Sequence, residues 1–451
     1  MERTTTGYLC GSGLLLSDQT GPVATSVPVL SWRQRLYLVM VALLPLHTIF
    51  LSAWISWKPF LVLLALLAMA DLVDIVRERR WVYRRGVSLA LVVFFGVVAV
   101  GFPEPEFRDR FYRLGLALVV GALVMLVTDR SLQQDGMVDR FFRVVWWTGA
   151  AMAATAVLTS LLAVGAFGAG TIDTVNDLPG LFRVVKPAYL ETGFLAVTNW
   201  HQDPGFGAAW AVLWSMLVVV ACAHGQGSRW WVVDSLVLGG LALWVVMAFS
   251  RTGWVALLIA TLMVAWSLRR ADVPISEPLK RMVLALLVCV GLVAGMFAAD
   301  EPEVGGDLDL QFAFRLSQGW DLLADLTGLF ASSESFADRF QPSEERADVW
   351  PEYAAMFREN PIFGVGLSVG WQTNSIGQEP HNLALELLAE TGIIGLLAWL
   401  GLLVVIVRSG EGPVMGMVLA VTFLPALTQT VLFEPTWWFA AGLYLAGKPA
   451  D

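Results

Sequence analysis

Long apolar runs, separated by shorter polar segments, follow one another along most of the chain. Most of these runs approach the roughly 20 residues that an α-helix needs to cross a bilayer. We predict twelve transmembrane spans, at about 36–53, 58–76, 87–103, 111–128, 141–165, 205–223, 229–248, 252–268, 281–299, 383–408, 413–432 and 435–448. The pattern therefore predicts an all-α, polytopic membrane protein.

The composition agrees with this prediction. Of the 451 residues, 57% are hydrophobic and only 15% are charged, and the mean hydropathy is +0.66. A soluble protein of this length would carry about 25% charged residues. The three cysteines are scattered, and no set of His and Cys residues has metal-ligand spacing. The sequence therefore predicts no metal site and no cofactor, and the alternative is a divalent ion bound by the acidic residues of 300–382.

The distribution of Lys and Arg predicts the orientation in the membrane. Segments 77–85 and 269–281 carry the densest basic clusters, and such clusters mark cytoplasmic loops. With twelve spans, both termini are then cytoplasmic, and residues 1–35 form a cytoplasmic N-terminal segment. The first nine spans occupy 36–299 and the last three occupy 383–451.

This orientation places two long segments outside, at about 166–204 and at 300–382. The second holds 15 acidic residues and four arginines, and a loop of such length is expected to be functional or partly folded. Within it, residues 343–360 have helical periodicity and begin at a possible N-cap, Ser343. The glycines at 364, 366 and 370 then predict a tight turn or close packing.

The tenth span begins with polar residues that a lipid-facing helix would avoid. His381 stands at its start, and Asn382, Glu386 and Glu390 recur every four residues, which places them on one helix face. Ionisable residues inside a membrane are candidates for a functional site. The alternative for the two glutamates is a structural ion pair with an arginine of a neighbouring helix.

Several basic residues on the same predicted side are candidates for binding an anion. Arg251 begins the eighth span, at the depth of His381, and Arg183 and Lys186 lie in the loop at 166–204. Each is alternatively an interfacial or surface residue. Arg346 stands four residues before Trp350, and this pair is either a sugar and phosphate contact or a packing pair.

Three of these stretches together resemble one family. His381 and Asn382 are followed by Gly392 and Gly395, and this spacing is similar to the periplasmic signature of the O-antigen ligase and Wzy polymerase superfamily. The stretch RADVWPEYAAMFRENPIFGVG and the motif SRTGW also resemble that family. The likeness covers roughly residues 190–440.

The resemblance implies a helical glycosyltransferase of the GT-C type in the bacterial inner membrane. Its donor would be a glycan linked to undecaprenyl diphosphate, and its periplasmic acceptor would be lipid A–core for a ligase or another repeat unit for a polymerase. Transfer would be inverting and independent of metal. The implied roles are a general base for His381, diphosphate binding for Arg251 with Arg183 or Lys186, a supporting contact for Arg346, and orientation of the base or the sugar for Asn382 and Glu386.

Other functions stay open at this point. Twelve spans with one dominant loop favour a ligase over a polymerase. A transporter of lipid-linked sugars would usually show repeat symmetry between its halves, and the chain has no internal repeat. A structural membrane scaffold would leave His381 and Arg251 unexplained.

Overall fold

The computed structural model describes residues 30–46, 58–102, 105–163, 185–189, 194–197, 204–248, 250–270, 284–285, 344–375, 377, 379–424 and 431–448. The α-helices over these residues are α1 (Trp32–Leu43), α2 (Pro59–Glu78), α3 (Arg85–Val100), α4 (Arg108–Leu132), α5 (Met137–Ala163), α6 (Pro204–Ala223), α7 (Trp231–Met247), α8 (Arg251–Arg270), α9 (Glu344–Glu359), α10 (Val369–Thr373), α11 (Leu383–Ser409), α12 (Pro413–Phe423) and α13 (Pro435–Ala446). Two 3₁₀ turns, Pro105–Phe107 and Val431–Phe433, precede α4 and α13.

The helical membrane character predicted from the sequence is confirmed. In the described part of the chain, five helices are long and apolar enough to cross a membrane: Pro59–Glu78, Pro105–Leu132, Met137–Ser160, Phe206–Ala223 and Leu383–Ser409. Each predicted span overlaps a described helix, except the ninth at 281–299, of which only 284–285 lies within the description. The total of twelve spans and the assignment of periplasmic loops stay predictions.

One antiparallel hairpin adds to the helical architecture that the sequence predicted. Strand β1 (Val185–Tyr189) pairs with β2 (Phe194–Val197), and Val185 lies opposite Val197. The hairpin falls inside the predicted loop at 166–204. A pair this short does not change the class of the fold, because three or more strands or a packed helix are needed for a stable sheet.

Local sequence signals set several helix ends. Ser31 caps α1 in a reciprocal arrangement with Gln34, in which each side chain bonds to the other's backbone nitrogen. Proline occupies the first turn of α2, α12 and α13, where its missing N–H would be unpaired in any case. The apolar periodicity therefore locates the helices, and caps and prolines determine where they begin.

Large aromatic side chains form the core between α3, α4, α11 and α13. The ring of Trp399 on α11 lies 4.8 Å from Trp437 and 6.0 Å from Trp438 of α13, measured between centroids, and 5.7 Å from Phe94 of α3. The indole of Trp438 occupies the space that a side chain at Gly121 of α4 would need. A small residue at this crossing lets α4 and α13 pack closely, as in many membrane proteins.

One end of the helix bundle carries a cluster of opposite charges. Arg33 at the start of α1 and Arg130 near the end of α4 both contact Asp74 of α2, and Arg130 also lies 2.6 Å from Asp71. The cluster therefore joins the start of α1 to the ends of α2 and α4. This agrees with the alternating directions predicted for these spans.

Arg84 forms a second polar cluster at the end of the bundle where α4 and α11 end. Its guanidinium lies 2.9 Å from Asp129 of α4 and donates to the carbonyl oxygens of Leu445, Lys448 and Ser409. Arg84 thus connects the start of α3 to α4 and to the ends of α11 and α13. The side chain of Arg84 is only 9% exposed and that of Asp129 only 4%, so water competes little for these hydrogen bonds.

We expect the substitution Arg84→Met to lower the stability of the protein by about 3 kcal/mol, because it leaves the buried Asp129 carboxylate without its cation. The measurement is the thermal unfolding midpoint in detergent. The neighbouring Arg85→Met is the matched control, since Arg85 is exposed and the same charge is removed one residue away. Equal midpoints for the two variants would contradict a structural role of Arg84.

Candidate active site

His381 lies in the short connection that leads from α10 into α11. The side chain of Asn382 caps α11, because its Oδ1 accepts from the backbone nitrogen of Leu385 at 3.1 Å. Its carbonyl oxygen accepts from the nitrogen of Glu386 at 3.0 Å. The helix therefore begins directly after the His-Asn pair, as the sequence predicted for the tenth span. His381 is half-buried, and its φ of 49° places it in the left-handed region.

Contacts from other helices hold the backbone on the N-terminal side of His381. The indole nitrogen of Trp350 on α9 donates to the carbonyl oxygen of Pro380 at 2.7 Å. Arg110 near the start of α4 forms an ion pair with Glu379, with 2.8 Å between Nη2 and Oε1. His381 thus lies in a turn that is bonded to α4 and α9 and is continuous with α11.

Glu386 and Glu390 point into the protein and not toward lipid. Their exposed fractions are 4% and 1%. Oε2 of Glu390 accepts from the backbone nitrogen of Ser368 at 2.8 Å. An N–H of the turn before α10 is therefore a direct partner of Glu390. The sequence suggested an arginine side chain as the alternative, and here Arg110 is close enough only to interact electrostatically with this carboxylate.

The glycine-containing turn predicted at 364–370 is present, and Gly364 and Gly366 have φ values of 69° and 105°. It is bonded to α11 through the backbone. The nitrogens of Val365 and Gly366 donate to the carbonyl oxygens of Ala389 and Glu390, each at 2.9 Å. The turn therefore lies directly against the helix that His381 begins.

Gly392 explains how the turn comes so close to α11. Its φ of 67° and ψ of −171° interrupt the helix, and a side chain there would collide with the backbone of Ile362 and Phe363. The nitrogens of Ile393 and Ile394 donate to the carbonyl oxygens of Pro361 and Ile362, at 2.9 and 3.3 Å. The structure therefore places the loop segment 361–366 directly against this glycine.

A small apolar cavity of about 10 Å³, roughly the space for one water molecule, adjoins the two glutamates. Its wall is formed by side chains of α3, α4, the glycine-containing turn, α11 and the 3₁₀ turn before α13, namely Phe94, Val98, Leu118, Leu367, Leu383, Glu386, Leu387, Glu390, Thr391, Leu432 and Phe433. The two carboxylates are the charged groups in this wall. The site therefore combines an imidazole near the surface with carboxylates and apolar side chains below it.

Tyr353 of α9 brings a further polar group to the site. It is fully buried against Gly370, and its hydroxyl has no hydrogen-bond partner within the described residues. Burial raises the pKa of Tyr353, and the negative charges of Glu390 and Glu386 raise it further. The phenol therefore stays protonated at neutral pH.

The structure brings some of the predicted site residues together and leaves others outside its description. His381, Asn382 and Glu386 share the start of α11. Arg251 is the first residue of α8, Arg346 lies in the first turn of α9 and Lys186 lies in β1, but their side chains are outside the described part of the chain. Arg183 lies outside the described residues altogether. Contacts from these four residues to His381 stay predictions.

Metal binding also stays untested. Within the described ranges, no group of three or more His, Cys, Asp or Glu side chains could hold a metal ion. The predicted absence of a metal therefore remains a prediction.

The sequence analysis missed Arg110, Glu379 and Tyr353 as members of the site. The predicted orientation places Arg110 on the same side of the membrane as His381, but this signal does not single it out. It lies beside a short loop with other arginines, and nothing local distinguishes it from them. Tyr353 carries no local signal, since a tyrosine on an amphipathic helix is usually a core residue.

We expect Gly392→Ala to lower the stability by about 3 kcal/mol, because a Cβ at this backbone conformation is strained and collides with the turn. The measurement is the thermal unfolding midpoint in detergent. Gly401→Ala on the same helix is the control, since nothing lies within 4 Å of its Cβ position. A midpoint for Gly392→Ala at or above that of Gly401→Ala would contradict the proposed packing.

Comparison with known proteins gives a family match over part of the chain. The Wzy_C family model, described as O-antigen ligase, matches residues 235–400. A comparison with curated proteins gave no match. The matched range begins in α7 and ends in α11, so it includes Arg251, α9, the glycine-containing turn and His381. The resemblance indicated by the sequence is confirmed over this range, which we call the O-antigen ligase domain after the family model that it matches.

Proposed function

We propose that this protein is a membrane glycosyltransferase that moves a glycan from undecaprenyl diphosphate to lipid A–core, and hence an O-antigen ligase. The observation that carries the proposal is the position of His381. It begins a membrane-length helix inside the matched O-antigen ligase domain, in a turn held by α4 and α9. A lipid-linked donor and a periplasmic acceptor can meet at such a depth.

The proposed reaction is a single displacement with inversion at the anomeric carbon. The acceptor hydroxyl oxygen forms a bond to that carbon while the bond to the diphosphate oxygen breaks, and undecaprenyl diphosphate leaves with the bonding electrons. His381 takes the proton of the attacking hydroxyl as general base. Imidazole suits this task because its ordinary pKa lies near neutral pH. The diphosphate is a good leaving group, so no metal or other cofactor is required in this proposal.

The leaving group needs positive charge, because two phosphates close to hydrocarbon are costly to desolvate. In this proposal Arg251 binds the diphosphate, with Arg183 or Lys186 as a second cation and Arg346 as a supporting contact. The position of Arg251 at the first residue of α8 supports this role, since a helix start adds unpaired backbone N–H groups. A guanidinium also binds phosphate oxygens in a bidentate manner.

Asn382 and Glu386 would orient His381 or the acceptor sugar. The capping bond from Asn382 supports this role, because it fixes the helix start immediately after the base. Glu386 lies one turn further along α11 and is buried at the pocket wall. In this proposal its carboxylate accepts a hydrogen bond from a polar group that enters from the His381 side.

The proposed location is the bacterial inner membrane, with the site on the periplasmic face and both termini in the cytoplasm. The positive clusters in the sequence support this orientation. The packing supports the relative directions of the spans, because the ends of α2, α4, α11 and α13 meet the starts of α1 and α3 on one side.

The transfer assay tests the function directly. Purified protein in detergent is incubated with undecaprenyl-diphosphate-linked glycan, with and without lipid A–core, and products are separated on a gel. We expect glycan on lipid A–core only when that acceptor is present, and a loss of at least about 100-fold in His381→Ala. A ladder of glycan without core would indicate a polymerase. Absence of transfer in detergent, together with gradient-driven translocation after reconstitution into vesicles, would indicate a transporter.

We expect Arg251→Ala to reduce transfer by about 100-fold or more, because the diphosphate loses a preorganised cation. Arg251→Lys should recover little of this activity, since an ammonium lacks the bidentate fork. The measurement is the turnover rate at saturating donor, and Arg270→Ala at the opposite end of α8 is the control. Full activity of the lysine variant would show that a point charge is sufficient.

A further inference from the structure

We propose that Arg110, which lies outside the O-antigen ligase domain, positions the catalytic base through its ion pair with Glu379 and its contact with the Trp371 ring. We name this group of three residues the α4 clasp. The inference rests on the proposed function, because it assigns a role toward His381. It adds a positioning residue, Arg110, that lies on α4 and outside the matched range 235–400.

The geometry of the α4 clasp fits a positioning role. The guanidinium of Arg110 is 2.8 Å from Glu379 and also lies over the ring of Trp371 on α10. The side chains of Arg110 and Glu379 are 17% and 28% exposed, so the pair is more than half shielded from water. A shielded, stacked arginine is held far more firmly than a surface ion pair. Both contacts reach the segment that leads into His381.

The backbone at His381 needs such restraint. A non-glycine residue in a left-handed conformation costs about 1–3 kcal/mol and persists only where its surroundings enforce it. Asn382 and the bond from Trp350 to Pro380 hold the turn from within the matched domain. Arg110 of the α4 clasp holds the turn from the N-terminal half of the chain. Its partner Glu379 lies two residues before His381.

A second contact shows that the N-terminal half approaches this region closely. A Cβ at Gly101, at the end of α3, would lie 3.3 Å from the Cα of Gly366 in the glycine-containing turn. The end of α3 and the start of α4 therefore meet the His381 region at two neighbouring points. Movement of these helix ends relative to α11 would shift the base.

The clasp also balances charge beside the base. The described charged and titratable groups from the surrounding elements are Glu352 and Tyr353 of α9, Arg110 of α4, Glu379, and Glu386 and Glu390 of α11. Of these, Glu379 is the nearest in sequence to His381, and Arg110 compensates its charge. Removal of either partner leaves a charge that acts on the imidazole.

A charge reversal tests the positioning role. We expect Arg110→Glu and Glu379→Arg each to lower the turnover rate by about tenfold or more, since a displacement of the base by 1 Å can cost about 100-fold. The double variant should regain activity to within a few-fold of the wild type. Arg113→Glu is the matched control. Arg113 lies one turn away on α4, in a largely exposed pair with Asp109. The turnover rate of this variant should stay within about twofold of the wild type.

Neutral variants give a readout that a purely structural role would not move. Arg110→Gln removes the cation that is paired with the Glu379 carboxylate, which favours the imidazolium and raises the pKa of His381. The acid limb of the pH–turnover profile should then move up by about half a pH unit. Glu379→Gln leaves the Arg110 cation uncompensated and lowers that pKa, so the limb should move down by a similar amount. These variants apply even if the charge reversals prevent folding.

The outcomes separate this inference from the proposed function. Opposite shifts in the two neutral variants, or recovery in the double variant, support the clasp. Unchanged profiles with normal turnover in both, while His381→Ala is inactive, overturn the clasp and leave the proposed function intact. Absence of transfer by the wild-type protein refutes the proposed function itself.

Discussion

The structure around the site depends on one constraint, which is that a membrane-length helix interrupted at Gly392 must pair its freed backbone groups inside the protein. The loop 361–366 supplies these partners. Its nitrogens donate to Ala389 and Glu390 of α11, and its carbonyl oxygens accept from Ile393 and Ile394. The side chain of Glu390 adds a bond to Ser368 on the next part of the same segment. Because these hydrogen bonds join the loop to both sides of Gly392, they fix the loop against the helix that follows His381.

The remainder of the bundle keeps this arrangement in place from both ends. In the middle, Trp399, Trp437 and Trp438 form an aromatic core in which α11 and α13 interlock, and the indole of Trp438 fits against Gly121 of α4. At one end, Arg84 joins α3, α4, α11 and α13 through its ion pair and carbonyl contacts. At the other end, Arg110 joins α4 to the turn before α11. The helices that surround the site therefore cannot slide past one another without breaking polar contacts at one of these ends.

The polar side chains of the site differ in their depth within the protein. His381 is half-buried at the helix start, whereas Glu386 and Glu390 are almost fully buried along an apolar pocket. In the proposed reaction, His381 at the surface receives a proton from a polar acceptor, and the buried carboxylates lie below it. This division suits a reaction between a lipid-linked donor and a water-soluble acceptor group, as the O-antigen ligase domain implies. It also explains why polar residues occupy the beginning of an otherwise apolar helix.

Much of the local structure was predictable, because it is encoded in short stretches of the chain. Apolar runs predicted the helices, the glycines at 364 and 366 predicted the turn, and the His-Asn pair predicted the start of α11. The helix at Glu344–Glu359 also begins where its capping signal indicated. Each of these features depends on residues within a few positions of one another, and local sequence rules describe such features well.

Tertiary structure alone decided which distant residues complete the site. Arg110 and Glu379 are separated by 269 positions, and no local pattern distinguishes Arg110 from its neighbours Arg108 and Arg113. Likewise, the backbone of Ser368 as the partner of Glu390 follows from the close approach of a loop to Gly392, and not from the charge of either segment. The sequence by itself determined a helical membrane protein with a polar helix start and a recognisable family signature. The packing of helices determined the partners, because these contacts exist only once the chain has brought α4, the glycine-containing turn and α11 together.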